Sequence, residues 1–387
     1  MAKKVVSPFL PLAEKYAKEL NASLKDLSVA ALYSMFGHVY YIWQSFKPAL
    51  GFDKALETYG TVWENLAVVS FQGGMQALGL KEVKDLPTFG KIVQHCFTGV
   101  PSLYEIKRND AHEHVGHVLW CANPAYGPSD CRLERNDYYR QEVYLTYTYL
   151  RKLVAEAKKV GLKDDIEIEI PTGRCRDGGA CACQIILRTP TGDKDKPLPE
   201  VKHQFIEEKM GKMEPLMYIL KKQKRSLEDQ GPGTFLAFFY TDYLAWAGLE
   251  NACSAKQAND IYQDLWRTFP PMWAEDARLE LWAGKPKTAQ DMAEIIAYCE
   301  HQKYMPYNVT SSNGKVTLTS TLNPYTEVMG IFGFKKGCSY FKAVTKRDKD
   351  FITQVLKETK ADKKFNATLT KAISEGDKVN QIEITQK

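Results

Sequence analysis

Displaced by 203 residues, the chain matches itself: Phe36–Cys96 aligns with Phe239–Cys299 without a gap, with 11 identities in 61 positions. The identities include Phe36/Phe239, Tyr40/Tyr243, Trp43/Trp246, Tyr59/Tyr262, Trp63/Trp266 and Cys96/Cys299. Spacings of three and four recur among them, as in Phe36, Tyr40, Trp43 and in Ala55, Tyr59, Trp63. What repeats is therefore the apolar stripe of two helices. A duplicated chain builds one supersecondary unit twice, which removes most architectures at once.

Downstream, the two copies keep the same order. Leu103–Arg108 and Ala111–Cys121 alternate as a β-hairpin, answered by Tyr307–Thr310 and Lys315–Thr321 around Asn313-Gly314. Asn-Gly tolerates the positive φ of a tight hairpin turn. Each copy then has a helical pattern (about 138–160 and 346–360) and a second hairpin. These hairpins are Ile166–Ile170 with Ala180–Leu187, and Lys364–Thr370 with Val379–Ile384. The predicted class is α+β: two repeated units, each of helices plus a four-stranded antiparallel sheet made of two β-hairpins, packed as an intramolecular pseudo-dimer. The first repeat spans 1–188, a linker and charged helix 189–233, and the second repeat 234–387. Thr189–Glu200 has linker composition, and Gln230-Gly-Pro-Gly233 is expected to break the charged helix.

With 44% hydrophobic and 12% aromatic residues, the chain can fill two cores. Its 52 basic residues nearly balance 47 acidic ones without long blocks of like charge, so no nucleic-acid partner is expected. The most apolar runs, around Ala30–Trp43 and Phe235–Leu249, carry His38 and Asp242 and fall short of a bilayer span. The N-terminus lacks an apolar signal core, and the nine cysteines are an odd number. The expectation is a cytoplasmic protein with free or metal-bound thiols. No Walker loop, dinucleotide fingerprint, Gly-x-Ser-x-Gly or His-Glu-x-x-His occurs.

Six cysteines lie in the first copy and three in the second, and only Cys96/Cys299 and Cys131/Cys338 are shared. The densest stretch is His112-Glu-His114-Val-Gly-His117-Val-Leu-Trp-Cys121. On a strand, His112 and His114 share one face, His117 and Cys121 the other, with Gly116 the place for a bulge. Imidazole and thiolate suit Zn²⁺ or another transition metal, with His112, His114, Cys181 and Cys183 as candidate ligands. A solvated strand edge with one core histidine accounts for the same residues.

Cys131, after Gly127-Pro-Ser-Asp130, is the best nucleophile candidate, with His117 as base and Asp130 orienting it. Because Cys338 holds the same place in the second copy, a structural bend is the competing explanation. Arg140, Tyr144 and Tyr147, on a tyrosine-rich helix, suit a wall for a planar, partly polar ligand, with Cys121 and Cys183 nearby. A contact surface between the halves would look the same.

Cys121-Ala-Asn-Pro124, Ser129-Asp-Cys131 and Gly178-Gly-Ala-Cys-Ala-Cys-Gln-Ile-Ile186 together resemble the L-2-amino-thiazoline-4-carboxylic acid hydrolase family. The layout is also similar to 4-vinyl-reductase domains, which are α+β ligand-binding modules that often pair as dimers. The resemblance covers roughly residues 30–187 and, more faintly, 235–384. Arg132 follows Cys131 where that family usually has an acid, and the second copy has Thr321 and Asn380 in place of Cys121 and Cys183. The resemblance implies a hydrolase that opens a carbon–nitrogen bond of a small heterocycle, with its site in the first repeat and a degenerate second repeat. The alternatives are a non-catalytic ligand- or metal-binding, sensor-like module, and an accessory subunit of a larger complex; the partners expected are a small-molecule ligand and either a second copy, as a homo-oligomer, or a complex partner.

Overall fold

The computed structural model describes residues 7–99, 102–121, 135–171, 183–200, 213–281 and 286–387. The chain forms two compact units. One comprises Met1–Leu10, Ser28–Tyr40 and Leu50–Phe235, the other Pro11–Leu27, Tyr41–Ala49 and Leu236–Lys387. The helices α1 (Leu10–Glu19) and α2 (Leu24–Leu50) precede α3 (Phe52–Ala77) and α4 (Leu86–Gly99). The first sheet follows as β1 (Ser102–Asn109), β2 (Glu113–Cys121), helix α5 (Arg135–Lys159), β3 (Glu167–Glu169) and β4 (Cys183–Arg188). Next come α6 (Pro215–Gln223), α7 (Leu227–Ala252), α8 (Ala255–Arg267), α9 (Phe269–Leu281) and α10 (Ala289–His301). The second sheet has β5 (Asn308–Ser312), β6 (Lys315–Ser320), α11 (Pro324–Ile331), α12 (Ser339–Glu358), β7 (Phe365–Lys371) and β8 (Asn380–Gln386).

Both sheets are antiparallel and four-stranded, with the orders β1-β2-β4-β3 and β5-β6-β8-β7. Their central pairs run in matching register, from Glu113 opposite Arg188 to Val118 opposite Cys183, and from Lys315 opposite Thr385 to Ser320 opposite Asn380. The repeated stripes lie on α2 and α7, and on α3 and α8, as the periodicity predicts. Asn313 and Gly314 both have positive φ, at 51° and 76°, as a tight Asn-Gly hairpin requires. In the first unit, Phe89, Ile92, Val93 and Cys96 of α4 and Leu150 and Leu153 of α5 form a core with Val118, Ile185 and Leu187 of the sheet.

Three expectations need correction. The single helix α3 has a divided counterpart, α8 and α9, because Pro270-Pro271 can occupy only the first turn of a new helix, where N–H groups have no partner. Helix α7 runs straight through Gln230-Gly-Pro-Gly233 instead of starting after it. Ser226 Oγ accepts from Asp229 N and opens the helix early, and the Glu228 carbonyl that Pro232 leaves without its helical donor accepts from Ser7 N at 3.2 Å. The irregularities of the β1–β2 pair put an extra residue at Leu119 of β2 and at Lys107 of β1, opposite Gly116 and Val115, so the bulged residue beside Gly116 belongs to the partner strand.

The linker-like segment groups with the first unit, whose boundary falls at Phe235. It is held to the first sheet: Pro197 O accepts from Arg108 Nη2 at 2.8 Å and Pro199 O from Gln184 Nε2 at 3.1 Å. Lys194 pairs with Glu167, and Lys196 with Asp110. Among the described residues, no helix is long and apolar enough to cross a membrane.

Candidate functional site

Strand β2 ends at Cys121 and its neighbour β4 begins at Cys183, with Val118 opposite Cys183. The chain thus leaves β2 and enters β4 at the same end of the first sheet. Segments 122–134 and 172–182, which carry Asp130, Cys131, Cys175 and Cys181, are joined to that end. Cys131, Asp130 and Cys181 fall outside the described residues, as do the side chains of Cys121, Cys183 and Arg140. At the corresponding end of the second sheet, Ser320 faces Asn380, and Cys338 is the N-cap residue of α12 without a side-chain cap bond.

The histidines of the first hairpin do not meet. The strand begins at Glu113, so His112 lies in the turn before it, exposed, with Nδ1 3.2 Å from Thr191 Oγ1. His114 is buried on the helix-facing side. Its Nδ1 lies 2.9 Å from Asn109 Oδ1, while Asn109 Nδ2 donates to Pro87 O, so the amide oxygen faces the ring and Nδ1 carries the proton. Nε2 then accepts from the Tyr104 hydroxyl at 2.8 Å, and the two rings stack. With both nitrogens engaged and burial pushing its pKa down to about 4, His114 is a neutral core residue, not a free metal ligand. Two glycines make the room. A Cβ on Gly90 would sit 2.3 Å from His114 Nδ1, and one on Gly116 would sit 1.8 Å from the Tyr104 hydroxyl oxygen. No group of three or more His, Cys, Asp or Glu side chains suited to a metal ion occurs among the described residues.

On the opposite face of that sheet, charges run in a chain: Arg108 pairs with Glu113, Glu113 with Arg188 at 2.8 Å, and Arg188 with Glu169 at 2.8 Å. His117 is buried beside them. Gln184 Nε2 donates to Pro199 O and lies 3.0 Å from His117 Nε2, which fixes that nitrogen as an acceptor. Among the described residues His117 Nδ1 has no hydrogen-bond partner, and burial, helped by Lys107, lowers the pKa of the ring. Tyr147 accepts from Ile170 N at 3.2 Å and so ties α5 to the end of β3. Tyr144 is partly exposed and packs by Gly60 of α3.

Among the described residues, the densest set of buried ionisable groups lies in the second unit, and of its charged members the sequence patterns single out only Asp242. Asp242 of α7 is fully buried and accepts from Tyr262 at 2.7 Å, Tyr340 at 2.8 Å and Trp266 Nε1 at 3.1 Å. Arg347 of α12 lies between the rings of Trp266 and Tyr325, 4.3 and 4.0 Å from their centroids, and 3.8 Å from Asp242. Its guanidinium also donates to Asp348 Oδ1 at 2.8 Å, and Lys303 Nζ reaches the same oxygen at 3.0 Å. Lys303 lies 2.8 Å from Glu300 as well, yet neither Glu300 oxygen accepts a well-formed hydrogen bond. Burial alone would raise Asp348, but Arg347 and Lys303 outweigh it and hold the carboxyl below its usual range.

Two signals for this cluster were present. Asp242 interrupts an apolar helix, and Asp348 continues the buried stripe Phe341, Val344, Phe351, Val355 of α12. Surrounded by Lys346, Arg347, Lys349 and Asp350, it reads as part of a solvated charge run. No protein-family model, curated protein or solved structure matches this chain.

Proposed function

We propose that the first repeat carries a thiol-based site for a small cyclic or aromatic molecule, at the sheet end where β2 leaves and β4 enters. The observation that supports it is the pairing of Val118 with Cys183, which joins both cysteine-bearing segments to one end of one sheet. In this reading Cys131 adds as a thiolate to an electrophilic ring carbon. His117 takes the thiol proton and returns it to the departing ring nitrogen, and water then releases the thiol and completes hydrolysis. A neutral, buried imidazole is the form a base needs, and the Gln184 amide that now holds Nε2 yields it during turnover. Asp130 orients the pair, Arg140 binds a carboxylate, and Tyr144 lines the ligand side.

The test uses L-2-amino-thiazoline-4-carboxylate as the probe, because the resembling family acts on it. Ring opening by the full chain, abolished in Cys131→Ala and retained in Cys338→Ala, is the expected result. No turnover by the wild type, or full turnover by Cys131→Ala, refutes the hydrolase. The attachment of both cysteine-bearing segments to one sheet end favours one second reading, a soft-metal site. Zinc that copurifies with the wild type and is lost in Cys183→Ser would then replace the hydrolase.

A further inference from the structure

We propose that Glu300 is a buried proton-binding site, and that its ionisation destabilises the second unit. Three carboxyl groups, Asp242, Glu300 and Asp348, share two cations, Arg347 and Lys303, and all five are buried. Asp242 has three donors and the nearby guanidinium, and Asp348 holds both cations. Glu300 is left with a share of Lys303, 2.8 Å from one oxygen, and with no other donor to either oxygen among the described residues. A buried carboxylate so poorly compensated is costly, whereas the protonated acid is neutral.

The other groups near Glu300 do not supply a missing positive charge. Tyr325 of α11 and Tyr307 before β5 are phenols, and Cys299 beside it is a buried thiol. From α9, Asp276 and Glu280 act on Cys299 and Tyr298, adding only negative charge. In the first repeat the residue in register is Phe97, packed against Tyr104 and Tyr149. The charge is thus a feature of the second repeat, not of the shared fold. Burial, opposed by Lys303 and reinforced by Asp348, pushes the Glu300 pKa up to about 7.

Because the folded state holds this proton more tightly than the unfolded chain does, the stability it confers is complete at acid pH and is lost as pH rises toward 7. Hydrogen exchange of β6 and β8 amides in the full-length chain reports the unfolding constant of this unit. The ratio of that constant in wild type to Glu300→Gln is expected to climb about tenfold per pH unit between about pH 5 and 7, then level off. A ratio that is flat or falls with pH overturns the proposal. Should Glu300→Gln fail to fold, infrared titration of the wild type decides. A protonated-carboxyl band persisting at about pH 6 and gone by about pH 8 is expected, and its absence at about pH 6 overturns the proposal.

Discussion

Tyr59 and Tyr262 stand at the same place in the two repeats and donate to different acceptors. Tyr59 gives its hydroxyl to the backbone oxygen of Val39 at 3.0 Å, while Tyr262 gives its hydroxyl to the carboxylate of Asp242 at 2.7 Å. Val39 and Asp242 are themselves in register at the 203-residue offset. A difference at this one position thus accompanies the contrast between a backbone-anchored tyrosine and a member of a buried charge network. Tyr59→Phe should cost about 1 kcal/mol, and Tyr262→Phe about 2–3 kcal/mol, since the second bond is to a charged group. Denaturant unfolding of each variant measures both, and equal costs would contradict the distinction.

Removing Asp242 tests the network itself. Asp242→Ala leaves three buried donors without their acceptor and deprives Arg347 of a nearby countercharge, so a loss of about 3–5 kcal/mol is expected. The double variant with Arg347→Leu should lose less than the sum of the singles, because the uncompensated guanidinium is gone. Strict additivity in a double-mutant cycle would show that the two are not coupled.

Acid should weaken the first unit. The His114 pKa is depressed to about 4, so the unfolded chain binds a proton that the folded chain refuses between roughly pH 6.5 and 4. Stability present above that window falls by about 3 kcal/mol as pH is lowered through it. His114→Gln should flatten this part of the curve, read as exchange protection of β2 amides against pH. A slope unchanged by the substitution would rule His114 out as its source.

The close fit around that histidine predicts a steric effect with no chemical component. Gly116→Ala drives a methyl into the Tyr104 ring and should destabilise by about 1–3 kcal/mol, or more if the strand cannot shift. Gly73→Ala, where the added carbon meets nothing within 4 Å, should be neutral or slightly stabilising. Comparable thermal midpoints for the two variants would contradict this packing.

Thiol reactivity separates architectural from available cysteines. Cys96 and Cys299 are buried, and burial pushes the Cys96 thiol up to about 12 and raises Cys299 as well. Brief alkylation of the native protein near neutral pH should leave both unmodified while the partly exposed Cys253 and Cys338 react. Peptide mass mapping gives the answer, and rapid labelling of Cys96 would contradict the core described for α4.

The repeated helices and both sheets were legible because aromatic stripes and strand alternation report burial, and burial is what sheets and helices share with their sequence. Pro270-Pro271 and Ser226 were less legible, since each acts through the few backbone groups at a helix end rather than through a pattern. The fates of His112 and His114 turned on a strand that starts at Glu113, one residue after the first histidine. The charged network was hidden for another reason. Asp348 sits in a run of charged residues along the chain, yet it and Arg347 are buried while Lys346 and Lys349 are exposed.

The division of the chain also bears on where it can be cut. Residues 11–27 and 41–49 belong to the same compact unit as 236–387, although they precede the first sheet. No single cut can release either unit whole. Deleting the first repeat would also strip residues 11–27 and 41–49 from the second unit. The two copies differ in chemistry, as Val39 and Asp242 do, while the first still carries chain that belongs to the second unit.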